Sequence, residues 1–220
     1  MGRATSAQQK SMALELACLV ISSRSLVLLG RLWLSFGPLD GKDNEMIIRI
    51  SARLGKKIHV TPAQSLSPDA NDFADWSAHL FNAGRAQYIL VTNTASLYSM
   101  LMYGKGITND SVFLHRITSF MGEFMRDDGH EFIFKRLIAP ATARVSFSKA
   151  LNRGVTGSMN DLVYQAQVHL IEQEMSPYDA SFLLNDVPMS YLKYETPGKA
   201  FQSLTLGNTE APNQDQPGPT

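Results

Sequence analysis

From Met46 onward the chain settles into segments with a clear hydrophobic period. Met46-Ile47-Ile48-Arg49-Ile50 reads as a strand, and Ser51 stands where it would cap a short helix over Ala52 to Ile58. Residues 61–72, with Pro62, Pro68, Asp69, Asn71 and Asp72, read as a loop. Trp76 to Tyr103 then holds three strand-like runs, separated by Asn82-Ala83-Gly84-Arg85 and Asn93-Thr94-Ala95. In the first run Trp76, Ala78 and Leu80 share one face, and Ser77, His79 and Phe81 share the other. The second run, Gln87 to Thr92, is apolar at most positions, as in a strand buried on both sides. The third, Leu97 to Tyr103, is read as a strand, although its Leu and Met residues also suit a helix.

The period then becomes helical. Asn109-Asp110 opens a segment in which Phe113, Ile117, Phe120, Met121 and Phe124 recur at helix spacing, and Gly129 is a natural stop. Residues 131–138 are ambiguous, and Ala143 to Ser148 alternates like a strand. Ser158 with Asp161 resembles a capping box for a second helix, which would bury Met159, Leu162, Val163, Ala166 and Leu170 and end before Pro177. Ser181 to Leu184 is a further strand candidate. Thr196 as cap and Pro197 at the first helical position introduce a short helix to about Leu206. These elements predict an α+β fold, with a central, mostly antiparallel sheet containing a β-meander and packed against two main amphipathic helices.

The flanks differ in composition. Residues 1–45 are expected to be an extension outside the core, either a helical appendage or a segment upstream of the true start. Gly37-Pro38 and Gly41 would serve as its linker. Met12 to Phe36 is apolar-rich but interrupted by Glu15, Arg24 and Arg31, so a membrane span is not expected there. A lipoprotein reading of Leu16-Ala17-Cys18 is weakened by Glu15 and by the shortness of the preceding apolar run. Residues 46–206 form the expected single domain, and the Gly, Pro, Asn and Gln content of 207–220 predicts a disordered tail.

Composition narrows the chemistry. Of 220 residues 44% are hydrophobic and 18% charged, which supports an ordinary globular core. The formal net charge is zero, which disfavours broad attraction to nucleic acid. One cysteine, Cys18, excludes intramolecular disulfides and fits a reducing cytoplasm. No metal site or cofactor is expected, and there is neither a G-x-S-x-G elbow nor a P-loop lysine. Asp127, Asp128, His130 and Glu131 crowd four acid–base groups at a helix end, where a solvated terminus is the plainer reading. Arg49, Arg53, Lys56 and Lys57 form a basic cluster suited to phosphate or to an acidic partner, or simply a solvated face. Trp76, Phe81, Tyr88 and Tyr98 would serve either as core or as a base-stacking platform. Arg153 before Gly154-Val-Thr-Gly157 offers an anion a cation beside a helix start.

Met46-Ile-Ile-Arg, Trp76-Ser-Ala-His-Leu, Tyr88-Ile-Leu-Val-Thr-Asn93-Thr, Phe147-Ser-Lys-Ala-Leu-Asn152-Arg153 and Gly157-Ser-Met-Asn160-Asp161 occur in that order. With them the chain resembles an uncharacterised bacterial family, classed as a domain of unknown function, from about Met46 to Leu206. Gly154 stands where that family often has serine. The resemblance implies a small cytoplasmic α+β domain and carries no activity, cofactor or catalytic residue. The leading expectation is therefore a non-enzymatic binding or interaction domain for an anionic ligand or protein partner. Its surface would draw on His79, Arg85, Asn93, Arg153 and Asn160. The alternatives are a small hydrolase or nuclease using His79 or the Asp127–Glu131 cluster, and a nucleic-acid accessory protein using a basic helix at 49–57.

Overall fold

The structure, a computed structural model, describes residues 45–204. Cys18, the extension, its linker and the tail from Gly207 lie outside the described residues. Strand β1 (Met46–Ile50) leads through Ser51 into α1 (Ala52–Ile58), and Ser51 accepts a hydrogen bond from the Leu54 amide as the expected cap. Strands β2 (Asp75–Ala83), β3 (Ala86–Asn93) and β4 (Ser99–Tyr103) form the meander. Gly84, at φ +56°, supplies the left-handed residue of the two-residue turn between Ala83 and Ala86. Helix α2 (Asp110–Asp127) starts on the Asn109 cap and stops at Gly129, whose φ is +78°. Strand β5 (Val145–Ser148), α3 (Arg153–Gln167), α4 (Pro177–Leu184) and α5 (Pro197–Gln202) complete the numbered elements.

The sheet is mixed, with strand order β4-β3-β2-β1-β5 and the larger share of its register pairs in the antiparallel meander. The meander pairs are antiparallel, but β1 runs parallel to both β2 and β5. Residue alternation reports which side chains share a face and not strand direction. Direction was decided by the connections: β1 reaches β2, and β4 reaches β5, through helix-bearing crossovers long enough to return the chain to the same end.

Helices cover both faces. Met46, Ile48, Trp76, Ala78, Leu80 and Ile89 face α1, α2 and Phe201 in one core. Phe81, Tyr88, Leu90 and Leu101 face α3 and part of α4 in the other. The two amphipathic helices expected from sequence are α2 and α3, one in each layer. Helix α4 closes the β4 edge: Ser181 accepts from the Leu101 amide at 2.8 Å, and Asn185 both accepts from the Ser99 amide at 2.7 Å and donates to its carbonyl at 3.0 Å. This covers backbone groups that would otherwise invite pairing.

Several local expectations are corrected. The Ser158–Asp161 capping box does not form. Asn152 is the cap, accepting from the Val155 amide at 2.9 Å, and Ser158 sits inside α3, donating to the Gly154 carbonyl. Packing of Val155 and Met159 draws the segment before Ser158, with its two glycines, into the helix. Ser181–Leu184 is helix, not strand, because Ser176 caps and Pro177 takes the first position, with Ala180 and Leu184 buried together. Residues 131–138 are an α-helical turn, Glu131–Ile133, running into a π-helix, Phe134–Ile138. Thr196 holds the cap position of α5 without a side-chain cap bond, and that helix ends at Gln202.

Gly55 makes one tight packing point. A Cβ there would lie 2.5 Å from the Val60 carbonyl oxygen. Gly55→Ala is expected to lower stability by about 1–3 kcal/mol, as overpacking does, seen as a lower urea midpoint. An unchanged midpoint would show that the turn after α1 yields freely.

Candidate interaction surfaces

The five sequence candidates do not gather in one cleft. Arg85 is exposed in the β2–β3 turn, and Asn93 lies at the far end of β3, ~23 Å away over the strand steps from Ala86. Asn93 is fully buried and its side chain is committed: it donates to the carbonyls of Asp72 and Asp75 and accepts from the amides of Ala95 and Ser96 and from the Ser96 hydroxyl. It builds the β3–β4 turn and offers nothing to a ligand. His79 is half-buried on β2, and burial, then the nearby Arg53 charge, hold its pKa below the usual histidine range. Arg153 and Asn160 are exposed on α3.

The basic cluster divides. Arg49 is not solvated but buried, 1% exposed, and forms a two-point ion pair with Asp75 (Nε–Oδ1 2.8 Å, Nη2–Oδ2 2.6 Å). Its Nη1 donates to the Leu66 carbonyl at 2.8 Å and to Ser148 Oγ at 3.3 Å. Arg49 thereby straps the 61–70 loop onto the sheet. It is also one member of a buried polar row, Ser99, Thr92, Ser77, Arg49 and Ser148, that crosses all five strands as successive register partners. Among the described residues every buried side-chain polar atom has a partner, so the row braces the sheet. A sequence signal existed: a lone arginine inside an apolar strand requires a buried carboxylate, and Asp75 directly precedes Trp76.

Arg53, Lys56 and Lys57 take the other path. Helix α1 packs beyond the end of β1, where Arg53 Nη2 donates to Asn82 Oδ1 and Lys57 Nζ to Gln87 Oε1, both at 2.9 Å. Asn82 and Gln87 face each other across the hairpin, and Arg85 stands in the turn between them. Arg53 and Lys57 are thus held at the turn end of the hairpin, with Arg85 in that turn and Lys56 exposed on the same helix, and none of the four has a carboxylate partner among the described residues.

The Asp127–Glu131 cluster disperses to separate partners. Asp127 accepts from Tyr178 Oη at 2.7 Å and from Arg126 Nε at 3.1 Å, and Glu131 pairs with Lys135 at 2.6 Å. Burial and then the bond to Asp127 push Tyr178 up to about 12. Asp128 accepts from Tyr98, whose pKa rises through burial first and that bond second. His130 lies 3.6 Å from the same carboxylate, and its ring meets Tyr98 and Phe201 edge-on. These contacts fasten the end of α2 to the sheet and α5. No group of three or more His, Cys, Asp or Glu among the described residues is placed to hold a metal. The stacking platform is absent as well: Trp76 and Tyr98 are 0% exposed. Among the described residues no helix is long and apolar enough to cross a membrane.

Fold and surface together define a mixed-sheet α+β domain whose polar interior is satisfied and whose uncommitted charges lie outside. The chain belongs to the family described as a domain of unknown function, DUF6933, whose model matches residues 47–200. Searches of curated proteins and of solved structures returned no match.

Proposed function

We propose that the protein is a binding domain that recognises an acidic segment of a protein partner at the cationic hairpin end. The carrying observation is the way Arg53 and Lys57 are held. Amide oxygens of Asn82 and Gln87 fix them at 2.9 Å without neutralising them. Lys56 on the same helix and Arg85 in the hairpin turn add two exposed charges. A carboxylate-rich segment meets oriented cations there and displaces no internal carboxylate, so little binding energy is lost to breaking existing pairs. The balanced overall charge and the buried aromatics favour a protein partner over a nucleic acid, which would draw on a wider basic field and on stacking.

The test is a fluorescence-anisotropy titration of the full chain with a labelled oligo-glutamate peptide and with a single-stranded oligonucleotide of equal charge. The peptide is expected to bind, more weakly as salt rises. Arg53→Gln with Lys57→Gln should weaken it roughly tenfold, a loss of about 1.4 kcal/mol, with an unchanged melt. Tighter binding of the oligonucleotide would overturn the choice of partner. Absence of peptide binding, or equal binding by the double variant, would overturn the site.

A further inference from the structure

Five glycines lie inside the numbered helices, and four make room for a neighbour. A Cβ at Gly55, Gly122, Gly154 or Gly198 would come within 2.5, 3.0, 2.9 or 3.2 Å of another group. Gly157 is the exception: it is exposed in α3, and a Cβ there would meet nothing within 4 Å. A glycine inside a helix is destabilising relative to alanine. At Gly157 no contact within the described residues offsets that cost.

The flanking charges say what would. Arg153 and Asp161 stand four residues before and after Gly157, so the three share one stripe of α3, with each charge about 6 Å along the axis from the glycine. Both charged residues are exposed, and neither has an ion-pair or side-chain hydrogen-bond partner among the described residues. One charge of each sign at equal distances from a central point makes the stripe complementary to itself when reversed.

We infer that two copies of this chain associate through α3, crossing antiparallel about a two-fold axis at Gly157. The missing side chains let the helix axes approach closely at the crossing. Arg153 then meets the partner's Asp161, and the same pair repeats across the axis, as an isologous interface requires. Tyr164, 65% exposed one turn beyond Asp161, adds apolar area at the rim. A foreign partner would need a matching arrangement of its own, whereas a second copy carries it already. The crossing point Gly157 lies ten residues before Gln167, where α3 reaches the hairpin at the Asn82 carbonyl, and the variants of the two proposals share no residue, so either proposal can fail alone.

The experiment is sedimentation velocity on the full chain over a wide concentration range, with melts confirming that each variant folds. Wild type should show a reversible monomer–dimer equilibrium. Arg153→Asp alone and Asp161→Arg alone should each weaken the dimer about tenfold or more, since each replaces attraction by repulsion at both symmetric contacts. The double swap should restore it. An equimolar mixture of the two single variants should form a heterodimer, because one then carries two acids and the other two arginines along the stripe. Gly157→Leu should abolish dimerisation while the monomer stays folded. A monomer at every concentration would overturn the inference. So would a dimer indifferent to the swaps, or single-variant defects that neither the double swap nor mixing repairs.

Discussion

Replacing Asp75 by asparagine is expected to cost about 3–5 kcal/mol of folding stability, because it strands the buried Arg49 guanidinium. Both side chains are nearly inaccessible, at 0% and 4% exposure. With the carboxylate gone, Arg49 keeps the carbonyls of Leu66 and Ser67, the Ser148 hydroxyl and the one oxygen of the new amide, none of them charged, and faces an NH2 group that cannot accept. Water cannot replace the lost partner without opening the strap over the sheet. Urea denaturation of wild type and variant measures the effect, provided the slope is unchanged. Arg49→Leu should be comparably damaging through a buried, unpaired Asp75. The double replacement should fall short of the sum by about 0.5–3 kcal/mol, since the second change leaves no charge stranded. A loss under about 1 kcal/mol is what an exposed pair would give, and would contradict the burial assigned to this one.

Trp76→Ala should be of similar size, about 3–5 kcal/mol, from lost transfer energy and the cavity left behind. The ring is 0% exposed, and its Nε1 donates to the Phe73 carbonyl at 2.8 Å. Phe201, also fully buried, packs its ring 6.3 Å from the Trp76 ring. The cavity would therefore open where β2 meets α5 and would not collapse easily. Trp76→Phe keeps most of the volume and loses the hydrogen bond, so its cost should be the smaller, about 1–3 kcal/mol for the unsatisfied carbonyl. Wild-type stability in the alanine variant would mean that the ring is exposed and open to a ligand.

The elements that sequence reading placed well had two signals in agreement. For α2, an asparagine cap, an apolar stripe and a terminal glycine all point the same way. For β2, alternation separates Trp76, Ala78 and Leu80 from Phe81, and the two cores divide along that line. Where one signal stood alone it misled. Ser158 and Asp161 have capping-box spacing, yet Asn152 two turns earlier is an equally good cap, and only packing against the sheet selects between them. The basic cluster was read by spacing on one helix. Arg49, however, belongs to the strand before the cap and points to the opposite side from Ile48 and Ile50, into the polar row.

The candidate surfaces were legible only in part. Arg53, Lys57, Arg85 and Arg153 were recognisable as residue types. Asn82 and Gln87 were not singled out as the partners of Arg53 and Lys57, because no local pattern joins residues about 30 apart in sequence.

Local chemistry along the chain determined the strand faces, the caps at Ser51 and Asn109, the turn at Gly84 and the split between the two amphipathic helices. Those features depend on contacts within a few residues and on side-chain period. Tertiary structure alone decided the parallel placement of β1 between β2 and β5, the pairing of Arg49 with Asp75, the sealing of the β4 edge by Ser181 and Asn185, and the cationic hairpin end. Each of these joins segments distant in sequence, where the outcome depends on which buried polar group finds a partner once the layers close.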